Sequence, residues 1–146
     1  MLSFKQYLAE KERTPERSHK LLDYIADRHG GDKNEIPFKD YRYYGDPDPG
    51  YHRDEHMFDY RGVQRFHVND LIPGQSSFSH TGVSHYLRGE GDKDIPITVI
   101  KHKYGHVIVN GHHRYMTARM LGKHIKAHVY EPNEHYRDEQ EYNIKV

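Results

Sequence analysis

Seven consecutive residues hold the side chains best suited to chemistry: Val109-Asn110-Gly111-His112-His113-Arg114-Tyr115. A β-branched run precedes them and a helical pattern follows, so they are predicted to lie where a strand turns into a helix. A helix start has unpaired N–H groups and the positive end of the helix dipole, which together favour an anion. Gly111 would admit a phosphate, His113 and Arg114 would hold it, and His112 is the candidate general acid or base.

The elements that must position these residues are predicted from hydrophobic runs and glycines. Two β-branched runs form a hairpin, a helix closed by Gly122 follows, and a last strand completes the unit. In order, these elements cover residues 95–100, 106–109, 112–121 and 125–130. The residues of interest therefore lie between the hairpin and the helix.

A second segment is predicted to approach the same site from upstream. A strand over residues 66–71 leads into a turn, and Ser79 or Thr81 caps a short helix that stops at Gly89. The turn places more polar side chains near the site. The candidate pocket residues are Asp70, Gln75, Ser76 and, from the strand-to-helix turn, Asn110. Ser76 is equally well explained as a turn residue.

The first 62 residues are predicted to fold differently from the rest. Residues 1–31 form a helical hairpin, with Thr14 and Pro15 starting its second helix. Residues 32–62 combine prolines and glycines with many aromatic side chains, which predicts a long acidic, tyrosine-rich loop wrapped on the body. Residues 63–130 form the core, and residues 131–146 form a polar tail.

Composition restricts the classes of protein that this sequence can encode. The chain has 146 residues, 34% of them hydrophobic and 30% charged, which predicts one domain with a small core. It has no cysteine, so disulfides, thiolate zinc sites and thiol nucleophiles are excluded. No apolar run is long enough to span a membrane, and we expect a cytoplasmic protein without a membrane partner.

The formal net charge is zero, but the charges are segregated along the chain. Residues 32–59 contain eight acidic and four basic residues, whereas residues 95–130 contain six lysines and arginines and no acidic residue. The basic segment is suited to face an anion. That anion is either a ligand or the acidic segment of the same chain, and the neutral total favours the second alternative.

The order of several sequence blocks resembles the core of the ParB/sulfiredoxin superfamily. The blocks are Pro96-Ile97-Thr98-Val99, Val107-Ile108-Val109-Asn110, the Gly-His-His-Arg box of residues 111–114, and Leu121-Gly122 before a closing strand. Upstream, Val68-Asn69-Asp70-Leu71-Ile72-Pro73-Gly74-Gln75 is similar to the first strand, proline turn and glutamine of the ParB amino-terminal domain. The resemblance covers about residues 63–130. It implies an α+β fold with a small mixed sheet and helices, here preceded by the helical hairpin and the aromatic-rich loop.

The resemblance also implies roles for the box. Sulfiredoxins have cysteine where this chain has His112, so sulfiredoxin activity is excluded, while His113 and Arg114 keep the phosphate-contacting residue types. In ParB, a glutamate stands where this chain has His112, and the box belongs to a CTP site. The most similar box is Asp-Gly-His-His-Arg of small ParB-like proteins, which include archaeal free-serine kinases and phage-encoded relatives. Asn110 replaces its aspartate.

These observations predict a nucleotide- or phosphate-binding ParB-like protein. ATP, ADP or CTP is the expected ligand, with Mg²⁺ as a candidate cofactor, and nucleotide-dependent phosphoryl transfer or hydrolysis is the enzymatic form of the hypothesis. The alternative is a DNA-binding or nuclease module. A third hypothesis is a catalytically silent phage protein that binds a host protein through its acidic segment, in which case it works in the host cytoplasm.

Overall fold

A computed structural model describes residues 13–38, 58–102 and 105–133. Within these ranges the chain forms three α-helices, a five-stranded mixed sheet and a separate pair of short strands. The helices are α1 (Pro15–His29), α2 (His80–Leu87) and α3 (His112–Leu121). The strands are β1 (Ile36–Pro37), β2 (Phe58–Phe66), β3 (Leu71–Pro73), β4 (Ser77–Phe78), β5 (Ile97–His102), β6 (Gly105–Asn110) and β7 (Ile125–Pro132).

The large sheet has the strand order β2-β7-β5-β6-β3. Strands β5 and β6 form the predicted antiparallel hairpin, whereas β3 runs parallel to β6 and β7 runs parallel to β5. Strand β2 pairs antiparallel with β7 at the edge, and β1 pairs with β4 outside this sheet. Helix α3 connects β6 to β7, so the start of α3 lies directly after the end of a central strand.

Helix α1 begins at the residues predicted from the sequence. The Thr14 hydroxyl accepts a hydrogen bond from the Arg17 N–H at 3.2 Å, and Pro15 occupies the first turn, where its missing donor costs nothing. Gly30 ends the helix at a φ of 71°. The other half of the predicted hairpin lies before residue 13, outside the described residues.

The core lies between the sheet and the helices. Its buried side chains come from α1, α2 and α3 on one side and from the central strands on the other. Representative members are Leu22, Val83, Tyr115, Met120, Ile97, Ile108, Ala127 and Val129. Because burying such side chains contributes about 1.5–3 kcal/mol each, this layer holds α3 firmly on the sheet.

The structure corrects the prediction for residues 58–71. The predicted strand over residues 66–71 is divided into the end of β2, a 3₁₀ turn at Val68–Asp70 and β3, while the strand itself starts at Phe58, inside the predicted loop. The alternation rule missed β2 because residues 59–65 are mostly exposed on both faces. Pairing with β7 supplies its hydrogen bonds instead. Residues 39–57, the rest of that loop, and the tail after residue 133 lie outside the described ranges.

The mixed α+β class predicted from the sequence is confirmed. None of the three described helices combines the length and the apolar composition that a bilayer crossing requires.

Candidate functional site

A cleft of about 240 Å³ opens where β6 ends and α3 begins. We call it the α3 cleft. Its described lining comes from the strand-to-helix turn, from the loop after β3 and from α2. The lining residues are Gln75, Tyr86, Val109, Asn110, Gly111, His112, His113 and Arg114.

Gly111 makes the turn between β6 and α3 possible. Its φ is 97°, a left-handed conformation that glycine adopts without strain, and a Cβ there would collide with the Ile97 side chain. The Tyr115 N–H donates to the Gly111 carbonyl at 2.9 Å, which is the first hydrogen bond of the helix. No side chain caps this helix start, whereas Thr14 caps α1 and Ser79 caps α2. The N–H groups of residues 112–114 therefore remain for another acceptor.

Arg114 lies at the rim of the cleft, in the first turn of α3. Its Nη1 donates to the carbonyls of Ile95 at 3.0 Å and Pro96 at 3.5 Å, which fixes the guanidinium in place. A guanidinium has five N–H donors in a planar fork, so several donors remain for a ligand. Among the described residues no carboxylate pairs with Arg114.

His112 points into the protein, and its ring is only 6% exposed. Its Nε2 accepts a hydrogen bond from the Gly74 N–H at 3.0 Å. Burial, the neighbouring His113 and a hydrogen bond to the Ile108 backbone act on this ring, and their net effect lowers its pKa to about 4. The ring is therefore neutral at pH 7, with Nε2 occupied as an acceptor. This geometry does not support the predicted role of general acid or base, because the lone pair that would take a proton is already in use.

His113, the next residue along the chain, makes a similar contact. Its Nε2 accepts from the Ser79 N–H at 3.0 Å, and burial lowers its pKa. The ring packs against Gly82 of α2, where an added Cβ would lie 2.5 Å from the ring carbon Cδ2. An accepting Nε2 requires the proton on Nδ1, so His113 retains one donor that can serve a ligand.

The two histidines together fasten the segment between β3 and α2. His112 binds its first residue, Gly74, and His113 binds the residue that caps α2, Ser79. Within this segment the Gln75 side-chain N–H donates to the Ser77 carbonyl at 2.7 Å. The histidine pair thus positions the wall of the cleft that carries Gln75, a structural role that the sequence analysis did not predict.

The structure brings together most, but not all, of the predicted site residues. Gln75, Asn110 and the Gly-His-His-Arg box line one cleft. Ser76 does not line it, and its carbonyl accepts from the Phe38 N–H at 2.9 Å. Asp70 also lies elsewhere, because it precedes Leu71, which pairs with His106 near the start of β6, whereas the cleft is at the end of that strand.

Tyr86 is the lining residue that the sequence analysis missed as a site residue. On α2, Val83 and Leu87 are buried, whereas Tyr86 is half-buried and lines the cleft. The sequence offered no signal for this role, because Tyr86 lies three residues after Val83 and is therefore its neighbour on the helix surface. The ring adds an aromatic wall to an otherwise polar cleft.

The cleft is electrostatically one-sided. Its described lining contains Arg114 and two histidines and no aspartate or glutamate. The first turn of α3 likewise has no acidic residue. Since cations are unfavourable at the positive end of a helix dipole, this arrangement is the reverse of the one that stabilises an isolated helix.

Comparisons with models of protein families, with curated proteins and with solved structures each find no match for this chain. The resemblance to the ParB/sulfiredoxin superfamily therefore stays a prediction from the sequence.

Proposed function

We propose that the chain binds a phosphate-bearing ligand of the nucleotide class in the α3 cleft. The observation that carries this proposal is an uncapped helix start whose first turn holds Arg114 and no acidic residue. A bound anion would accept from the N–H groups of residues 112–114 and would offset the repulsion between Arg114 and the helix dipole. A bound anion thus accounts for both the uncapped N–H groups and the position of Arg114.

A nucleotide fits the cleft better than a bare phosphate does. Tyr86 supplies an aromatic ring, and Gln75 and Asn110 supply amides that recognise hydrogen-bonding groups. At about 240 Å³ the cleft is smaller than the roughly 300–1,000 Å³ of pockets that enclose a drug-sized ligand. We assign the phosphate end to the helix start and the nucleoside to the rim near Tyr86.

The proposal is one of binding, and no reaction is assigned. Phosphoryl transfer uses Mg²⁺ and a group that orients the nucleophile, and carboxylates usually supply both needs. The described lining offers no carboxylate, and the Nε2 of His112 already accepts a hydrogen bond from the Gly74 N–H. The enzymatic form of the hypothesis therefore needs a carboxylate from outside this lining.

A thermal-shift screen tests the proposal directly. The full chain is heated with ATP, ADP, CTP or inorganic phosphate, each with and without Mg²⁺. A ligand at one hundred times its Kd stabilises the folded state by about 2.7 kcal/mol, which corresponds to several degrees in Tm. We expect at least one nucleotide to produce such a shift and inorganic phosphate to produce a smaller one. Unchanged melting with every nucleotide at millimolar concentration would contradict the proposal.

A further inference from the structure

A second cavity, of about 250 Å³, lies on the other side of Arg114. We call it the basic groove. Its described lining includes five lysines and arginines and one carboxylate, Asp94. The basic residues are Arg65, Lys93, Arg114, Lys123 and Lys126. They come from β2, β7, both ends of α3 and the loop before β5, so residues distant in the sequence converge on one surface.

The groove continues past the end of α3. A third cavity, of about 170 Å³, shares Lys123 and His124 with the groove and adds Arg13 and Arg119. Arg114 in turn lines both the groove and the α3 cleft. The three cavities therefore follow α3 from its first residue to beyond its last. Ten helical residues span about 15 Å, so the basic track is longer than that.

One pair of groove residues is expected to destabilise the sheet. Arg65 on β2 and Lys126 on β7 are direct register partners in an antiparallel ladder. Like charges directly opposite each other destabilise a sheet. Both side chains are exposed, and within the described ranges neither forms an ion pair. The arrangement is explained if an anion lies across both side chains.

Ordinary helix electrostatics explains only part of the basic track. Arg119 and Lys123 lie near the end of α3, where the dipole attracts cations. Arg114 lies at the opposite end, where the dipole repels them. Arg65 and Lys126 belong to strands, whose net dipoles are small. The local structure thus gives no reason for these three cations to share a groove.

We propose that the basic groove binds the phosphodiester backbone of a single-stranded nucleic acid. This goes beyond the nucleotide site, because it requires no ligand in the α3 cleft. A row of cations along consecutive narrow cavities matches a polymer with one negative charge per nucleotide. Rings for base stacking lie at the far end of the track, at His67 and His124, whose ring centroids are 5.4 Å apart. Rings that stack on bases favour a single strand over a duplex, because only unpaired bases expose their faces.

The test uses the full chain and a fluorescent 15-nucleotide oligothymidylate in an anisotropy titration at several salt concentrations. Five phosphate contacts predict that log affinity falls with log salt at a slope near −3.5, since each contact to a single strand contributes about 0.7. The double variant Arg65→Gln/Lys126→Gln is expected to bind at least tenfold more weakly at low salt, with a slope smaller by about 1.4.

The matched control is Lys20→Gln/Lys33→Gln, which removes the same charge from exposed positions that line none of the three cavities. Its affinity is expected to equal that of the unchanged protein. The Arg65→Gln/Lys126→Gln protein should also melt at the same or a slightly higher temperature, because a like-charge pair has been removed. It should keep any nucleotide-induced thermal shift, which separates this proposal from the one for the α3 cleft.

Any one of the following results would overturn the proposal: no binding by the unchanged protein at low salt, equal weakening by the control variant, or equal affinity for the oligothymidylate and for a 15-residue oligoglutamate. The last result would show that the groove binds polyanions without preference for a nucleic acid. Binding of a 15-base-pair duplex as tight as that of the single strand would also contradict it.

Discussion

The stability of the domain depends on the protonation state of one residue, His112. The Gly74 N–H points at Nε2, so this nitrogen must remain unprotonated for the contact to exist. Protonation would set one donor against another inside the protein and would leave a buried charge without a partner. The segment that carries Gln75 thus depends on the neutral form of this ring.

We therefore expect the protein to lose stability in mild acid. The pKa of His112 is lowered from 6.5 to about 4 in the folded state, so the unfolded chain binds the proton more readily. Stability is complete above about pH 6.5 and falls as the pH drops toward 4, by about 2 kcal/mol between pH 7.5 and 5. Burial lowers the pKa of His113 as well, which acts in the same direction.

Urea unfolding at pH 7.5, 6 and 5 measures this loss. His112→Gln should be less stable than the unchanged protein at pH 7.5 and should show a flatter pH dependence. Proton NMR gives an independent check, because an imidazole of His112 that titrates near 6.5 in the folded protein would refute the argument.

Arg114 is the residue on which nucleotide binding is expected to depend most. Arg114→Ala removes the planar fork from the rim of the cleft, and a lost charge-assisted contact costs about 1.5–3 kcal/mol, or roughly 10- to 150-fold in affinity. The variant also loses hydrogen bonds to two carbonyls, so we expect a modest drop in Tm with the fold retained. Calorimetric titration with the best nucleotide from the thermal screen measures the affinity.

The matched control is Arg61→Ala, an exposed arginine on β2 that pairs with Asp59 and Glu131 away from the cleft. Exposed pairs contribute about 0–1 kcal/mol, so this variant should melt and bind like the unchanged protein. Equal nucleotide affinity in the Arg114→Ala protein would remove the main support for the proposed site.

At the scale of elements, the junction of β6 and α3 depends on one glycine. Gly111→Ala must adopt a φ of 97° and must displace the fully buried Ile97 side chain. Gly89→Ala provides a matched comparison, since its φ is 75° and nothing lies within 4 Å of the added Cβ. Both substitutions force alanine into a left-handed backbone conformation, and only Gly111→Ala also makes the added Cβ collide with Ile97.

We expect Gly89→Ala to destabilise the protein by about 1 kcal/mol and Gly111→Ala by about 3 kcal/mol or more, because overpacking adds roughly 1–3 kcal/mol to the strain of a left-handed backbone. Urea unfolding of both variants at pH 7.5 measures the difference. Equal destabilisation would show that the sheet yields at Ile97 and that the junction is not tightly packed.

At the scale of the whole molecule, opposite charges are separated although they sum to zero. The basic residues gather along α3, β2 and β7. Most of the acidic segment 32–59 lies outside the described residues. The sequence favoured the interpretation that this segment covers the basic face, whereas the nucleic-acid proposal requires the groove to be open to a ligand.

One variant separates these alternatives. If the groove is open, replacing Asp46, Asp48, Asp54 and Glu55 with their amides should leave Tm nearly unchanged and should strengthen oligothymidylate binding by less than tenfold, because the only effect is a more positive net charge. A marked fall in Tm together with newly acquired binding would instead support the intramolecular alternative. Melting curves and titrations at low and high salt measure both quantities.

Local patterns in the sequence determined the elements around the cleft. Thr14, Pro15 and Gly30 delimit α1, Ser79 caps α2, and Gly111 and Gly122 delimit α3. Each signal acts within a few residues, through a cap, a fixed φ or a missing Cβ. For the same reason the turn that contains the Gly-His-His-Arg box was identified from the sequence.

Only the tertiary structure decided what the box residues contact. His112 and His113 look alike in the sequence, and the folded chain gives each a different backbone N–H from a segment more than thirty residues away. Strand β2 was missed because its partner β7 lies about sixty residues away and its own side chains show no alternation. The basic groove was only partly visible, since Arg65 and Lys93 join Arg114, Lys123 and Lys126 through folding alone. Sequence patterns report local geometry, while contacts between distant residues depend on the register and packing of the whole sheet.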